Sequence, residues 1–255
     1  MFEMPDLLTI ADPVPLDTLN PAQLTELQRG LSALGYPIAR IDGLNGPNTR
    51  NSWAEFMTDV SPGNPTLVGS GSLNLLAAKT ADIAKNLTVP APDEASVKDA
   101  IVRQCGLAGL GLKTQIAYVL ATVEWETAQT FRPVREDYWL SEDWRKAHLS
   151  YAPYYGRGYV QLTWQTNYAK YAEILALDLV NNPDLALEHG VALFVVVHGF
   201  QTGVFTGRKL PDYVNASHTD FVNARRCING TDHATEIAAL AQRFLNGLQT
   251  ATRAA

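Results

Sequence analysis

The amino-acid sequence predicts a mainly α-helical protein of two domains with one short β-hairpin. Apolar residues recur at helical spacing in several stretches, whereas period-two alternation is confined to residues 154–168. A stretch rich in Gly, Ser and Pro at residues 61–73 separates the first helical stretches from the others. We therefore expect a first domain at residues 1–65, a linker and connecting helix at residues 66–92, and a second domain at residues 93–255.

The first helix is predicted between Asn20 and Gly35. Asn20 can cap it, Pro21 fits the first helical position, and Gly35 can end it. Its apolar face is a row of leucines at helical spacing: Leu24, Leu27, Leu31 and Leu34.

A loop rich in turn residues, at positions 41–50, leads into a second predicted helix. Gly43 and Gly46 supply backbone freedom, and Asn48 or Thr49 can cap the helix that follows. The apolar residues of this second helix are Trp53, Phe56 and Met57.

Residues 18–58 contain Leu-Gln-Arg-Gly-Leu, then Asp-Gly-Leu-Asn-Gly-Pro-Asn-Thr, then Trp-Ala-Glu-Phe. Together these motifs resemble the small three-helix peptidoglycan-binding domain attached to many cell-wall hydrolases. The resemblance implies that wall glycan or stem peptide binds at Asp42, Gly43, Asn45 and Thr49. From the sequence alone, the interpretation of Asp42 as a turn residue is the favoured one.

A helix is predicted over residues 113–128, with two glutamates near its end. Glu124 and Glu126 lie on opposite flanks of the apolar stripe, and periodicity does not choose between them. A glutamate at the border of a buried face loses hydration, which favours its protonated form, as a general acid requires.

Glu136 lies beyond Pro133, where helical periodicity ends, and close in sequence to Arg132 and Arg135. Neighbouring positive charge favours a carboxylate, which suits a general base. Inverting glycoside hydrolysis uses one protonated carboxyl as the general acid and one ionised carboxyl as the general base. Without further context, a pair of glutamates ten residues apart is more often solvated surface.

Within residues 154–168, polar Gln161 and Thr163 alternate with apolar Val160 and Leu162, which predicts a short strand. Tyr159, Gln161 and Thr163 would share its open face, and neutral hydrogen-bonding groups beside aromatic rings suit a sugar. The alternative is an edge hairpin with a merely solvated face.

Four motifs in the second half of the chain are Trp-Glu-Thr at 125–127, Pro-Val-Arg-Glu at 133–136, Tyr-Gly-Arg-Gly-Tyr-Val-Gln-Leu-Thr-Trp at 155–164, and Cys-Ile-Asn-Gly at 227–230. Together they resemble glycoside hydrolase family 19, most closely its phage endolysin branch, across residues 93–255. The resemblance implies a lysozyme-like, α-rich catalytic domain.

The same resemblance assigns site residues. Glu126 matches the general acid, Glu136 the base that activates water, and Thr163 the residue that positions this water. The implied substrate-binding residues are Tyr155, Arg157, Gln161, Trp164, Asn167 and Asn229.

The sequence departs from the family in places. Trp125 stands where many members have histidine, Asp232 only approximates a carboxylate of the plant enzymes, and Arg243 is a weak match for their distal arginine. Arg157 could hold Glu136 or another acidic group, or be a surface residue of the hairpin.

The two resemblances together imply a modular phage endolysin that hydrolyses the β-1,4 bond between N-acetylmuramic acid and N-acetylglucosamine and lyses the host cell. The resemblance to glycoside hydrolase family 19 implies inversion at the anomeric carbon. This mechanism requires the two carboxyls to lie roughly 6.5–9.5 Å apart. The alternatives are a chitinase acting on N-acetylglucosamine polymers and a wall-binding module without activity.

The composition limits the classes of molecule that this protein is expected to bind. The net charge is −6, and residues 1–70 carry three Arg against eight Asp or Glu, which argues against nucleic acid. The longest apolar runs are too short to cross a bilayer, and the first residues lack the basic region of a signal peptide. We expect a monomer that binds bacterial peptidoglycan and stays in the host cytoplasm until a membrane-permeabilising protein releases it.

The cysteines and histidines show no metal-binding spacing. Cys105 and Cys227 are expected to be small core residues, and His198 a core residue beside an apolar run. The remaining histidines are His148, His189, His218 and His233. We expect no metal or organic cofactor.

Overall fold

A computed structural model describes residues 2–60, 64–88 and 93–253 of the chain. The fold is mostly helical with two short antiparallel strand pairs, which confirms the predicted mainly α class. In chain order the α-helices of these residues are α1 Pro21–Ala33, α2 Pro47–Val60, α3 Ser70–Leu87, α4 Glu94–Leu107, α5 Lys113–Glu126, α6 Glu142–His148, α7 Gln165–Leu175, α8 His189–Thr202 and α9 Ala234–Arg253.

The chain forms two compact units. Unit 1 consists of Met1–Lys85 and Lys170–Leu177, and unit 2 of Asn86–Ala169 and Asp178–Ala255. The change from one unit to the other at Lys85 therefore lies within α3, not at the Gly-, Ser- and Pro-rich stretch.

Helix α1 begins as the sequence predicts. The side chain of Asn20 accepts a hydrogen bond from the backbone N–H of Gln23, and the Gln23 side chain accepts one from the N–H of Asn20. This reciprocal cap satisfies two of the donors that a helix N-terminus leaves open. Gly35 follows the helix with a φ of +91°, a conformation that favours glycine. Helix α2 begins at Pro47, slightly before the predicted caps Asn48 and Thr49.

Residues 66–87, expected to connect the domains, are largely part of unit 1. Strand β2 (Leu67–Val68) pairs antiparallel with β1 (Val14–Pro15), and Leu73 and Leu76 of α3 are fully buried. The apolar residues of α3 explain this result, because burying them stabilises unit 1 more than leaving them in a solvated linker. The sequence also predicts that Pro90 and Pro92 end the connecting helix, but these two residues lie outside the described ranges. The unit 1 core includes Leu24, Leu27, Leu31, Trp53, Phe56, Val68, Leu73 and Leu76.

Unit 2 is built around α5 and α8. Every residue of α5 from Gln115 to Glu124 is buried, as is every residue of α8 from Val191 to Phe200. Helix α5 packs along α9 and also contacts α4 and α8. The predicted helix over residues 113–128 is confirmed, and its end at Glu126 places that residue where the buried helix meets the surface of unit 2.

The short strand predicted within residues 154–168 is only partly present. Strand β4 (Arg157–Gly158) pairs with β3 (Val134–Arg135), and the chain then turns back so that Arg157 bridges Leu162. Gln161 has a φ of +55°, which is incompatible with an extended strand. The alternation prediction was therefore wrong beyond β4, and Tyr159, expected on the open face, is fully buried.

Other sequence expectations concern individual residues. Cys105 and Cys227 are both buried free thiols, which confirms them as core residues, and burial raises the pKa of each to about 12. His198 is buried and stacks on Phe194, as expected of a core histidine.

Within the described ranges, no helix combines the length and apolarity needed to cross a bilayer. The same ranges hold no group of three or more His, Cys, Asp or Glu side chains arranged to bind a metal ion.

Candidate active site

An open cleft of about 450 Å³ lies within unit 2. Its walls come from the end of α5, the segment after β3, the turn after β4, the start of α7, and the short 3-10 helix Asn223–Cys227 with the residues that follow it. The lining residues are Glu126, Glu136, Tyr151, Val160, Gln161, Thr163, Trp164, Asn167, Phe205, Arg225, Ile228 and Asn229. The cleft thus brings together both expected catalytic carboxyls and most of the expected sugar-contacting residues.

Glu126 is the last residue of α5, and its side chain is 16% exposed. The Nη1 of Arg225 donates a hydrogen bond of 2.5 Å to its Oε1. Arg225 is itself buried, and its Nε donates to the backbone oxygen of Asp232. An arginine held in this way fixes the direction of the Glu126 carboxyl and places positive charge against it.

The structure distinguishes the two glutamates that helical periodicity could not separate. Glu124 is 6% exposed and does not line the cleft, and Nη2 of Arg243 contacts both of its carboxylate oxygens. Arg243, a weak match for the family's distal arginine, therefore holds Glu124 rather than a cleft residue.

Glu136 directly follows β3, and its backbone N–H donates to the oxygen of Gly156. Its Oε1 accepts a 2.6 Å hydrogen bond from the Tyr151 hydroxyl, and its Oε2 accepts a 2.8 Å bond from the backbone N–H of Gly156. Burial, together with the hydrogen bond to Glu136, raises the pKa of Tyr151 to about 12, so Tyr151 stays a donor at neutral pH. Two donors therefore hold the carboxylate of Glu136 in the cleft.

The arginines that are close to Glu136 in sequence are not its hydrogen-bond partners in the structure. Arg135 donates to Asp184 instead, at 2.7 Å, and Arg132 is exposed. Residues adjacent in an extended strand point to opposite faces, so Arg135 and Glu136 face apart although they are neighbours in sequence.

Arg157 and Tyr155 are not available to a substrate. Arg157 is 3% exposed, and its guanidinium donates to Asp184 and to the hydroxyl of Tyr168. Tyr155 is fully buried, and its hydroxyl donates to Glu142 at 2.6 Å. Both residues stabilise the hairpin that carries the cleft, which corrects their expected role in substrate binding; the acidic group that Arg157 holds is Asp184, not Glu136.

The other expected residues of the hairpin do reach the cleft. The Thr163 hydroxyl donates to the backbone oxygen of Gln161 at 2.7 Å, and Asn167 donates to the oxygen of Thr163 at 2.8 Å. Gln161 donates to the oxygen of Val134 at 3.3 Å, and Trp164 is 56% exposed. These contacts fix the side chains, while each retains acceptor capacity or an open ring face for a ligand.

Asn229, expected to bind substrate, also lines the cleft, beside Ile228 and Arg225. Sequence reasoning missed Arg225 and Tyr151. Arg225 lies close before the Ile-Asn-Gly segment, and this position near a site motif was the available signal. Tyr151 lies in an irregular segment without a sequence motif, so no signal identified it.

The residues expected to bind cell wall in unit 1 mostly hold their own loop. The Gln28 side chain contacts Oδ1 of Asp42 and Oγ1 of Thr49, each at 3.0 Å, and its Oε1 accepts from the backbone N–H of Asp42 and Gly43. The hydrogen bond from Gln28 is the main cause that lowers the pKa of Asp42. Gly43 has a φ of +69°, and a Cβ there would lie 2.7 Å from the backbone oxygen of Pro21. The turn interpretation of Asp42 therefore accounts for its contacts.

Asn45 differs from these three residues. It lines a second cleft, of about 570 Å³ and within unit 1, together with Arg50, Asn51 and Thr66 among others. Its Oδ1 is buried without a hydrogen-bond partner among the described residues. Of the four expected wall-binding residues, Asn45 is the one that contributes to a cavity wall.

Comparison with known proteins places a family match on the unit 2 cleft. Residues 122–205 match the glycoside hydrolase family 19 model described as chitinase class I. Chitinase 11 and chitinase 8 of Oryza sativa subsp. japonica are each 55% identical to this chain over 42 residues, which is 16% of this chain and 16% of each rice protein. An inactive chitinase-like protein 1 of Hevea brasiliensis is 51% identical over 41 residues, 16% of this chain and 13% of that protein. The chain therefore spans only a small part of the length of these curated relatives.

A solved structure, chitinase C from Streptomyces griseus HUT6037, is 19% identical, with a TM-score of 0.43 and coverage of 66% of this chain and 69% of that chain. The family match is the more specific result, because residues 122–205 include Glu126, Glu136 and the whole β3–β4 hairpin. Residues 122–205 are thus similar to the chitinase class I model of glycoside hydrolase family 19, and they supply most of the residues that line the cleft.

Proposed function

We propose that the protein is a glycoside hydrolase that uses the unit 2 cleft to cleave β-1,4 bonds by an inverting acid and base mechanism. One observation carries the proposal: Glu126 and Glu136 come from different elements, yet both line one open cleft whose lining also includes hydroxyl and amide side chains. Paired carboxyls with a neutral polar lining suit a sugar polymer, whose hydroxyls need donors and acceptors rather than charge.

In this mechanism, Glu136 takes a proton from water while the water oxygen attacks the anomeric carbon. The bond from that carbon to the glycosidic oxygen breaks, and Glu126 gives its proton to the leaving oxygen. The water proton ends on Glu136, and the product has the inverted configuration. Thr163 accepts a hydrogen bond from the attacking water, because its own proton is directed at the oxygen of Gln161.

Arg225 contributes electrostatic stabilisation to this mechanism. A general acid must carry a proton before the reaction, whereas an arginine stabilises the ionised form of a partner carboxyl. As Glu126 releases its proton, negative charge develops on its oxygens, and Arg225 already faces one of them. Arg225 therefore stabilises the state that forms as the leaving group departs.

Peptidoglycan is the proposed substrate, and an endolysin acting on the wall from the host cytoplasm is the proposed role. The resemblance of residues 18–58 to a peptidoglycan-binding domain supports this choice. Chitin is the second candidate, because two of the relatives are named chitinases. The relative named as inactive makes a binding function without catalysis the third candidate.

The test incubates the protein with purified sacculi and, separately, with a chitin hexamer. New muramic acid reducing ends from sacculi, detected by mass spectrometry, would establish a muramidase, and glucosamine ends from sacculi a glucosaminidase. Cleavage of the hexamer alone would establish a chitinase. No cleavage of either substrate would contradict a hydrolase, and a β-anomer as the first product, seen by NMR, would contradict inversion.

A further inference from the structure

Exposed aromatic side chains in the described residues cluster around Glu136. Three such side chains are exposed: Tyr138 at 60%, Trp139 at 69% and Trp164 at 56%. Trp164 lines the cleft, but Tyr138 and Trp139 lie outside its lining, in the loop that follows Glu136. Large aromatic rings left in water at neighbouring positions are a common mark of a binding surface.

Hydrogen bonds from a buried arginine hold the backbone of the loop that carries Tyr138 and Trp139. The buried Arg145 donates through Nη1 to the backbone oxygens of Asp137 at 2.9 Å and Leu140 at 2.8 Å, and its Nη1 lies 3.5 Å from the oxygen of Glu136. The N–H of Leu140 also donates to the oxygen of Asp137. A buried guanidinium that satisfies several carbonyls of one turn fixes the backbone on which both rings are presented.

The two rings stand edge to face, with centroids 5.2 Å apart and planes at 81°. In this arrangement one ring contributes an edge and the other a face, so each ring keeps at least one face that its partner does not cover. A fixed backbone also means that binding to these faces would cost little additional loop entropy.

The rings lie close to the proposed reacting groups along the chain. Because consecutive Cα atoms are about 3.8 Å apart, the Cα atoms of Tyr138 and Trp139 lie within about 8 Å and about 12 Å of that of Glu136. Glu136 lines the cleft, and the exposed ring of Trp164 is another part of the cleft lining. A polymer that lies across Glu136 would therefore extend towards Tyr138 and Trp139.

We propose that Tyr138 and Trp139 form an aromatic sugar-binding subsite beside the cleft, which contacts glycan units next to the cleaved bond. The inference rests on the proposed function, since it assumes that a glycan occupies the cleft. The apolar C–H face of a pyranose covers an aromatic ring while its hydroxyls stay in water. This subsite favours long glycans over short ones.

The test uses the full chain with Tyr138→Ala, Trp139→Ala and the double substitution. Leu107→Ala is the matched control, because Leu107 is also an exposed apolar residue of unit 2 but lies on α4. The KM for long glycan fragments of purified sacculi should rise about tenfold in the double variant, since each aromatic contact contributes about a factor of three or more. The KM for the shortest oligomer that is cleaved should change much less, and Trp139→Phe should restore most of the loss.

A binding measurement separates failure of this inference from failure of the proposed function. Glu126→Gln protein, with and without the double substitution, is titrated with the chitin hexamer while tryptophan fluorescence is followed. Weaker binding in the doubly substituted protein supports the subsite even if no substrate is cleaved. Equal affinity and equal KM values in all variants would overturn it. A dimer in light scattering that the double substitution dissociates would also overturn it, in favour of contact with a second copy of this chain.

Discussion

The loop around Gln28 in unit 1 and the cleft around Glu126 in unit 2 are both rich in polar residues, but the two regions use them differently. In the loop, Asp42 and Thr49 turn inward onto Gln28. In the cleft, Glu126 and Glu136 are each held by protein donors and also border open space. Polar residues at motif positions can therefore serve the fold or the ligand, and the direction of their hydrogen bonds distinguishes the two roles.

The sharpest test of this comparison replaces two glutamates only two residues apart. Glu126→Gln should lower the hydrolysis rate by about 100-fold or more, because loss of a general acid removes about 10²–10⁴ in rate. Glu124→Gln should change the rate little, since Glu124 faces Arg243 and not the cleft. Release of soluble fragments from sacculi measures both variants, with circular dichroism to verify the fold. Equal losses in the two variants would contradict the assignment of Glu126 as the acid.

Gln28→Ala tests the structural side of the comparison. The substitution leaves the N–H groups of Asp42 and Gly43 without their acceptor and should lower the free energy of unfolding by about 2–3 kcal/mol. Asn45→Ala is the matched control, and because the Asn45 Oδ1 has no hydrogen-bond partner among the described residues, its loss should cost within about 0.5 kcal/mol.

Urea unfolding measures both changes, and sedimentation with sacculi measures wall binding by the same proteins. We expect Asn45→Ala to weaken wall binding without loss of stability. If Asp42→Asn weakened wall binding more than Asn45→Ala at unchanged stability, the wall-binding role would return to the loop that Gln28 holds.

Local patterns in the sequence predicted the helices well for physical reasons. The cap at Asn20 and the buried stripe of α5 depend on residues within one or two helical turns, so short-range spacing reveals them. The prediction of a strand after Gly158 was wrong because the chain reverses there, with a positive φ at Gln161. Alternation of apolar and polar residues does not reveal such a reversal.

The partners of the site residues could not be read from short-range patterns. Arg225 and Glu126 are 99 positions apart, and Tyr151 reaches Glu136 across an irregular segment. Arg135 is adjacent to Glu136 in sequence, but the pleat of the strand directs its side chain to Asp184. Motif resemblance identified the carboxyls, whereas only the tertiary structure identified what holds them.

Thr163→Val sharpens the comparison within the cleft itself. Valine keeps the shape of threonine but cannot accept a hydrogen bond from water, so kcat should fall about tenfold, the equivalent of one hydrogen bond. Thr163→Ser keeps the hydroxyl and should retain most of the rate. Sedimentation with sacculi should change less than the rate, because wall binding is assigned mainly to residues 18–58. An equal loss of rate and wall binding in Thr163→Val would contradict this division.

The smallest expected effect concerns Asp184, which holds the hairpin from outside the cleft. Burial opposes the ionised form of Asp184, but hydrogen bonds from Arg135 and Arg157 outweigh it and lower the pKa of this carboxyl. A carboxyl whose pKa is lower in the folded state stabilises the fold above its unfolded value, about 3.9, and this contribution is lost as the pH falls through the folded value. Because the Asp184 side chain is 51% exposed, solvent screening limits the contribution to less than about 1 kcal/mol. Asp184→Asn should therefore lower stability slightly at pH 6, and this difference from the unmodified protein should shrink as the pH falls below about 3.9, as measured by urea unfolding at a series of pH values. A difference between the two proteins that stayed constant with pH would show that Asp184 acts through packing and not through its charge.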